Sequence, residues 1–309
     1  MSKYIVTGGA GFLGANLCRR LLEGDHQVLC LDDFSTGKER NITELKDHNN
    51  FSFLNHDLTK SFFPEEADAI FNLASPASPV HYQFNPIRTL KMGTLAIYNV
   101  LGIATRLKIP VLQASTSEVY GDPLEHPQKE SYWGNVNPIG PRACYDEGKR
   151  LAEALCVAYK KYNNISIRIA RIFNTYGPFM DPKDGRVVSN FIMQALQNKP
   201  LTIYGDGSQT RSFCFVDDLV EGLVSLMDSN YEFPINLGNP SEFTISELAQ
   251  EVRKLVNPNI DIIYKPLPED DPQKRQPDIT KAKEVLNWEP KVAFRQGLSK
   301  TVDWFKSLH

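Results

Sequence analysis

The sequence predicts an α/β fold, in which a doubly wound parallel sheet is followed by a smaller lobe. Short apolar, β-branched runs alternate with amphipathic helical stretches through the first 173 residues. A glycine-rich segment separates the first strand from the first helix. After Asn174 the alternation degrades and prolines punctuate short elements. These observations favour one large alternating unit and a second unit of a different kind.

The alternation of strands and helices predicts a parallel, Rossmann-type sheet with right-handed crossovers. Strands are predicted at 4–7, 28–31, 51–54, 69–73, 110–114 and 165–172, and helices at 15–23, 86–107 and 142–162. We expect the Rossmann domain to contain residues 1–173 plus about 212–238. The smaller, discontinuous C-terminal lobe would contain about 174–211 plus 239–309.

The composition excludes several classes of function. The 309 residues carry a net charge of -3, which gives no electrostatic reason to expect a nucleic-acid partner. No apolar run is long enough to span a membrane, and the N-terminal residues do not resemble a signal peptide. The five scattered cysteines lack CxxC spacing and predict reduced thiols in a cytoplasmic protein. The six histidines show no metal-ligand spacing, so no metal site is expected.

A glycine-rich loop predicts a phosphate-binding site. Gly8, Gly11 and Gly14 have the spacing Gly-x-x-Gly-x-x-Gly and connect the first strand to the first helix. Glycine permits a tight turn and a close approach of the backbone to a pyrophosphate. The helix that follows offers free N–H groups and a partial positive charge to the anion.

An acidic residue identifies the expected dinucleotide. Asp32 ends the second strand, where its carboxylate can accept hydrogen bonds from the adenosine ribose and would repel a 2′-phosphate. This favours NAD over NADP. Asp57 and Leu58, after a later strand, are weaker candidates for the adenine site, because an aspartate at a strand end is commonly only a cap.

Tyr145 and Lys149 form a candidate catalytic pair. Their i, i+4 spacing on a predicted helix places both side chains on one face. A phenol titrates near ~10, and a neighbouring ammonium group lowers that value. Such a pair can move a proton and hold the nicotinamide ribose. Tyr-x-x-x-Lys is common on helices, so the spacing gains weight only from the hydroxyl groups at 115–117, at the carboxyl end of a strand.

These motifs resemble those of the extended short-chain dehydrogenase/reductases, and specifically the UDP-glucuronate decarboxylases. The resemblance covers essentially the whole chain. Matching runs are GGAGFLG (8–14), LASPASP (73–79), STSEVYGDP (115–123), YWGNVNPIGPRACYDEGKR (132–150), RIFNTYGP (171–178), DGRVVSNFI (184–192) and DDPQKRQPD (270–278). The glycine and Tyr/Lys motifs are typical of the superfamily, whereas Glu118 and Arg275 indicate the decarboxylases.

The resemblance implies a set of site residues and a homodimer. The catalytic residues would be Thr116, Ser117, Glu118, Tyr145, Lys149 and Arg275, with Arg275 at the substrate carboxylate. The NAD-binding residues would be Gly8, Gly11, Phe12, Leu13, Gly14, Asp32, Asp33, Phe34, Thr36, Gly37, Asp57, Leu58, Leu73, Ala74, Ser75, Tyr145, Lys149 and Thr175. The UDP-sugar would contact Lys91, Asn174, Arg186, Asn190, Tyr204 and Arg211. Helices near 87–107 and 143–162 would form a four-helix dimer interface. Phe179 departs from the arginine usual after Gly-Pro.

The resemblance also implies a reaction, namely conversion of UDP-glucuronate to UDP-xylose through a 4-keto intermediate. Two other activities of the superfamily begin with the same C4 oxidation. A 4,6-dehydratase would have an aspartate at position 117, where this chain has serine. A 4-epimerase does not need a Glu/Arg pair for a carboxylate. A non-catalytic NAD sensor is the alternative from another class, although such proteins often lose the tyrosine or the lysine.

Overall fold

The alternating half of the chain forms the parallel sheet that the sequence predicts. The computed structural model describes residues 1–267 and 274–308. The strands are β1 Lys3–Thr7, β2 Gln27–Asp32, β3 Phe51–Asn55, β4 Ala69–Asn72, β5 Val111–Thr116, β6 Ile167–Ile172, β7 Thr175–Tyr176, β8 Leu201–Tyr204, β9 Thr210–Ser212, β10 Cys214–Phe215, β11 Pro234–Leu237, β12 Glu242–Thr244, β13 Ile262–Lys265 and β14 Lys274–Arg275. The helices are α1 Phe12–Glu23, α2 Pro79–Phe84, α3 Pro86–Lys91, α4 Ile97–Leu107, α5 Ala143–Asn163, α6 Val187–Leu196, α7 Val216–Asp228, α8 Ile245–Val256, α9 Thr280–Leu286 and α10 Phe294–Ser307. Short 3₁₀ helices span Glu39–Asn41, Thr43–Asp47 and Ser117–Tyr120.

The seven-stranded sheet has the order β11-β6-β5-β4-β1-β2-β3. Every neighbouring pair is parallel. The strand order reverses between β1 and β4, and ligands of doubly wound sheets bind outside the carboxyl ends of the strands at such a point. The predicted Rossmann-type fold class is therefore confirmed, and the topology places the glycine loop at the expected crevice.

Helices cover both faces of the sheet because successive strand residues point to opposite sides. In β1, Val6 packs in a core cluster with Leu17 of α1 and Leu219 of α7. Its neighbour Ile5 packs in a second cluster with Val100 of α4 and Ala152 of α5. All six residues are buried. The near-continuous apolar strands of the sequence are thus explained by burial on both faces.

The predicted helix at 86–107 is present but not uniform. A π-helical turn over Met92–Ala96 separates α3 from α4. Gly93 lies in this turn, against Gly148 of α5, and a Cβ at Gly93 would come 2.8 Å from the Cα of Gly148. The close contact brings α5, with its tyrosine and lysine, against the helix pair.

The C-terminal part of the chain does not form one continuous unit. Strand β11 joins the main sheet beside β6. The remaining strands form smaller sheets, in which β13 pairs with β8 and β9 lies between β12 and β14. The pairing of β14 with β9 places Arg275 opposite Arg211. Within the described ranges, no helix is long and apolar enough to cross a membrane.

Candidate active site

A cavity of about 770 Å³ opens at the carboxyl end of β5 and lies between the main sheet and the C-terminal elements. This is within the size range of small-molecule sites. All six predicted catalytic residues line it, namely Thr116, Ser117, Glu118, Tyr145, Lys149 and Arg275. Five of the six predicted UDP-sugar residues also line it, namely Asn174, Arg186, Asn190, Tyr204 and Arg211. Residues far apart in the sequence therefore meet in one space.

A second pocket of about 150 Å³ adjoins the first, and the two share Leu13, Leu73, Ser75, Ala77 and Arg186. Most predicted NAD residues line this pocket, namely Gly8, Gly11, Phe12, Leu13, Gly14, Asp32, Asp33, Thr36, Leu58, Leu73, Ala74 and Ser75. Tyr145, Lys149 and Thr175 line the larger cavity. This arrangement allows one elongated dinucleotide to extend from the glycine loop to Tyr145.

The glycine loop has the tight, closely packed backbone turn that a pyrophosphate site needs, and side chains at its glycines would collide with neighbouring backbone. Gly8 has φ +68, and a Cβ on it would lie 2.8 Å from the Cα and N of Ala74. A Cβ on Gly14 would lie 2.1 Å from the carbonyl oxygen of Gly8. Helix α1 begins after Gly11, and its first N–H groups have no partner within the helix. The residues present therefore fit a dinucleotide phosphate site.

The Asp32 carboxylate is fixed beside this loop. Its Oδ2 accepts a hydrogen bond from the backbone N–H of Ala10 at 3.0 Å, and its Oδ1 accepts one from Phe34 at 2.8 Å. Burial raises the pKa of Asp32 above its ordinary value, although these two backbone donors lower it in part. Each carboxylate oxygen has a further lone pair, so the ordered group can still accept from ribose hydroxyls.

Tyr145 is buried at the base of the larger cavity, near Thr116 and Lys149. Burial raises the pKa of the Tyr145 phenol, and a hydrogen bond with the Thr116 side chain lowers it. The Lys149 Nζ lies 5.8 Å from the centre of the Tyr145 ring and donates to the backbone oxygen of Ala114 at 2.8 Å. From the sequence, the ammonium group of Lys149 is expected to lower the pKa of the Tyr145 phenol. Here the pKa of the phenol is instead raised, because burial outweighs its neighbours.

Lys149 gives a prediction on stability. Burial lowers its pKa from 10.5 to about 8. Between these values the unfolded chain binds more protons than the folded one, so stability rises with pH. We expect the free energy of unfolding of the unliganded wild type to rise by up to about 3 kcal/mol from pH 8 to 10.5, relative to Lys149→Met. Urea denaturation at several pH values measures this, and Lys161→Met, which changes an exposed lysine of the same helix, should follow the wild type.

Glu118 lies between two guanidinium groups. It forms ion pairs with Arg275, from β14, and with Arg142, which precedes α5. Burial raises the pKa of Glu118, but the two arginines outweigh it and hold that pKa at about 2. Arg275 also donates to the Ser117 hydroxyl at 3.2 Å and to the backbone oxygen of Gly121 at 2.9 Å. The arrangement keeps Glu118 ionised beside the cavity.

Three residues of this cluster were missed by the sequence analysis. Tyr82 stacks on Tyr145, with ring centres 5.0 Å apart and an interplanar angle of 6°. Arg142 lies three residues before Tyr145, on the same side of the helix start, and its Nε is 3.8 Å from the carboxylate of Asp146. Burial, and then Glu118, raise the pKa of Asp146 to about 7. The i, i+3 spacing of Arg142 and Tyr145 was an available signal, whereas Tyr82 had none.

Four predicted residues do not line either pocket. The ring of Phe34 packs on that of Phe53, and the Asp57 carboxylate accepts a hydrogen bond from the Thr59 hydroxyl. Gly37 lies beside Asp32, and a Cβ on it would be 2.7 Å from the Asp32 carboxylate. Lys91 is exposed on α3 and lines neither pocket.

The residue that departs from the family pattern, Phe179, lines the smaller pocket. Its ring packs against that of Trp304, with centres 4.5 Å apart and an interplanar angle of 48°, and lies under the guanidinium group of Arg19 at 3.8 Å. An aromatic contact thus occupies the position where the family pattern has an arginine. Residues 270–273 of the DDPQKRQPD run are outside the described residues. No group of three or more potential metal ligands occurs in the part of the chain that is described.

Comparison with known proteins identifies relatives with this sequence and this fold. Residues 4–238 match the NAD dependent epimerase/dehydratase family. UDP-glucuronic acid decarboxylase 1 of Danio rerio is 55% identical over 303 residues, which are 98% of this chain and 72% of that protein. UDP-glucuronic acid decarboxylase 4 of Arabidopsis thaliana is 56% identical over 304 residues, which are 98% of this chain and 68% of that protein.

Solved structures of more distant relatives share the fold. The crystal structure of UDP-glucuronic acid 4-epimerase from Bacillus cereus, in complex with UDP-glucuronic acid and NAD, has a TM-score of 0.90 and 28% identity. The alignment covers 99% of this chain and 100% of that one. UDP-glucose 4-epimerase from Thermotoga maritima, with UDP-glucose, has a TM-score of 0.89 and 27% identity, with 99% of each chain covered.

These matches confirm the predicted family and fold class, and the family's dependence on NAD agrees with the cofactor predicted from Asp32. The chain belongs to the NAD dependent epimerase/dehydratase family and, within it, to the UDP-glucuronic acid decarboxylases.

Proposed function

We propose that this enzyme converts UDP-glucuronate to UDP-xylose and carbon dioxide, with NAD as a cofactor that ends each cycle unchanged. One observation carries the proposal: Tyr145 and the ion-paired Glu118 and Arg275 line the same cavity. The first supplies a group for proton transfer at a sugar hydroxyl. The others supply charged groups suited to a substrate that bears a carboxylate. Relatives above 50% identity carry the name of this activity.

The cofactor would be held by the glycine loop at its pyrophosphate and by Asp32 at its adenosine ribose, and Lys149 would contact the nicotinamide ribose. Bound NAD would supply a hydride acceptor for C4 of the sugar and the same hydride for its return. Its positively charged nicotinamide would favour the phenolate, so that Tyr145 would take the proton of the C4 hydroxyl in the first half of the cycle and give it back in the second. The Thr116 hydroxyl, which lies beside the phenol, would orient it.

Loss of carbon dioxide follows from the chemistry of the oxidised sugar. A ketone at C4 is β to the C6 carboxylate, so the electrons of the C5–C6 bond move into the carbonyl as carbon dioxide leaves. Tyr145 and Thr116 stabilise the resulting enolate as hydrogen-bond donors to its oxygen. C5 then takes a proton from an acid or water that Ser117 and Glu118 position.

We also propose roles for the remaining cavity residues. Four more lining residues would contact the UDP part of the substrate, namely Asn174, Asn190, Tyr204 and Arg211. Arg186 lines both pockets and is paired with Asp184, its Nη2 lying 2.9 Å from the Asp184 Oδ2. We propose that it lies between substrate and cofactor. We also propose that the division between a Rossmann domain and a UDP-sugar-binding domain follows the predicted boundaries.

A 4-epimerase is the second candidate, because a UDP-glucuronic acid 4-epimerase shares the fold with a TM-score of 0.90. Incubation of the purified enzyme with UDP-glucuronate and mass spectrometry of the product separate the two. We expect UDP-xylose, which has lost the mass of carbon dioxide. A product of unchanged mass, identified as UDP-galacturonate, would make the enzyme an epimerase, and absence of any reaction would reject both activities.

We further propose a homodimer in the cytoplasm. Five cysteines are free and buried, which fits a reducing compartment. Apolar side chains are exposed on α3 to α5, including Ile87, Leu95 and Val157. Several exposed apolar side chains on helices that pack together are typical of an interface.

The dimer proposal predicts the effect of a charge on that surface. Leu95→Glu should convert a dimer to a monomer in light scattering, because a buried carboxylate in an apolar interface lacks a partner. Val285 on α9 is comparably exposed, at 41% against 47% for Leu95. Val285→Glu should therefore leave the dimer intact. A wild-type protein that is already monomeric would contradict the proposal.

A further inference from the structure

A buried ion pair outside both pockets joins α5 to β6. The side chains of Glu153, on α5, and Arg171, on β6, are each 12% exposed. The guanidinium group donates to both carboxylate oxygens, to Oε1 at 3.0 Å and to Oε2 at 2.8 Å. Neither residue lines the cavity or the smaller pocket. Desolvation offsets the attraction within such a pair, so its presence is weak evidence of a contribution to stability.

The ion pair contacts both ends of a segment that carries three of the predicted catalytic residues. At the first end, the Ser115 hydroxyl donates to the Glu153 Oε1 at 2.6 Å. At the second end, the Arg171 Nη1 donates to the Tyr120 hydroxyl at 3.0 Å. The predicted catalytic residues 116–118 lie between these two contacts. Both flanks of the catalytic segment are therefore attached to one ion pair.

The contacts at the Tyr120 end are themselves fixed. The Tyr120 hydroxyl donates to the Asn236 Oδ1 at 2.7 Å, and Asn236 lies on β11. The Arg171 Nη1 also donates to the backbone oxygen of Glu130 at 3.0 Å. Ser115 is 3% exposed and Tyr120 is 1% exposed, so water has little access to compete for these hydrogen bonds.

The same carboxylate lies on the helix that carries the proposed base. Tyr145, Lys149 and Glu153 occupy positions i, i+4 and i+8 of α5, which places them along one side of the helix. Burial lowers the pKa of Lys149 to about 8, and the Glu153 carboxylate opposes this shift. The side of α5 that presents the phenol therefore also holds the attachment point for the end of β5, where Thr116 lies beside that phenol.

We propose that Glu153 and Arg171 form a clamp, and that these two positioning residues hold segment 116–118 at the distance from Tyr145 that proton transfer needs. This inference rests on the proposed function and extends it to two residues that lie outside the pockets. Proton transfer depends closely on contact distances, and a displacement of about 1 Å can lower a rate by about 10²-fold. A clamp on both flanks of the segment prevents such a displacement.

Two substitutions loosen the clamp at different points. Glu153→Gln keeps the size of the side chain and removes the charge opposite Arg171. Ser115→Ala removes the hydrogen bond from β5 and leaves the ion pair intact, so this variant should fold as the wild type does. Each should lower kcat for UDP-glucuronate by about tenfold to a hundredfold, with KM and the dissociation constant of UDP within about twofold of wild type.

The chain offers a matched control at the opposite end of β6. Glu232 accepts a hydrogen bond from the Ser166 hydroxyl at 3.0 Å and lies 3.9 Å from the Arg168 Nη1. The same three residue types thus meet far from the catalytic segment, since Ser166 precedes β6 and Arg171 lies near its carboxyl end. Glu232→Gln should keep the wild-type kcat. An equal loss of kcat in this variant would make the effect one of general stability and would overturn the proposal.

A double variant separates positioning from stability. Glu153→Met combined with Arg171→Met removes both charges, and apolar replacement of a whole buried ion pair often preserves stability. We expect the melting temperature to lie closer to that of the wild type than in Glu153→Gln, while kcat stays at least about tenfold lower than in the wild type. Recovery of kcat together with the melting temperature would show that the pair is only structural.

Ser115→Ala decides the question by itself if the double variant is unstable. A wild-type kcat in Ser115→Ala would overturn the clamp and leave the decarboxylase intact. If the wild type does not consume UDP-glucuronate, the proposed function itself fails, and this inference fails with it.

Discussion

Tyr145→Phe should lower the turnover of UDP-glucuronate by about 10²–10⁴-fold, the range that a positioned general base contributes. The phenylalanine keeps the stack on Tyr82 and removes the one hydroxyl placed beside Thr116. The protein should therefore fold and retain NAD. Release of carbon dioxide from UDP-glucuronate measures the effect.

A matched variant controls for the loss of a phenol from this helix. Tyr159 lies on α5 and pairs with Tyr98 at 6.3 Å, away from the cavity. Tyr159→Phe should keep wild-type turnover. If Tyr145→Phe decarboxylated the substrate at a near-normal rate, the phenol would not be the base.

Arg275→Ala should be the most destabilising substitution at the site and should also reduce decarboxylation. Removing one partner of a buried ion pair costs about 3–5 kcal/mol, because the other charge is left uncompensated. Arg142 remains beside Glu118, so the lower end of this range is expected. Loss of the contacts that orient Ser117 and Glu118 should lower turnover by about 100-fold or more. Urea denaturation and the rate of carbon dioxide release measure the two effects.

Lys274→Ala is the control, since Lys274 precedes Arg275 in β14 and is exposed. It should change neither stability nor rate appreciably. If Arg275→Ala kept normal turnover but bound UDP more weakly, Arg275 would serve nucleotide binding. Its proposed role in orienting Ser117 and Glu118 for catalysis would then be wrong.

The parts of the fold that repeat a local pattern were predictable from the sequence. Strands β1, β2 and β4 are mainly apolar runs without an exposed residue, and the glycine loop is fixed by close backbone contacts at Gly8 and Gly14. The Tyr145–Lys149 pair follows from helical spacing taken together with the hydroxyl groups at 115–117. Such features depend on neighbours in the sequence, so a single chain is sufficient to recognise them.

The rest depends on contacts between distant segments. Arg275 meets Glu118 across 157 positions only because β14 pairs with β9. The π-helical turn near Gly93 depends on its contact with Gly148 in another helix. The raised pKa of Tyr145 likewise results from burial, and burial cannot be inferred from the spacing of two residues in the sequence. Arg275 was recognised through resemblance, whereas Tyr82 carried no local signal and was found in the structure.

The central claim is that C4 is oxidised and reduced again in one cavity, with Tyr145 moving the proton. UDP-glucuronate carrying deuterium at C4, incubated with the purified enzyme without added NAD, tests it directly by mass spectrometry of the product. Because the same hydride returns to C4, UDP-xylose should retain the deuterium. Deuterium lost to solvent, or a requirement for NAD in proportion to product, would contradict the claim.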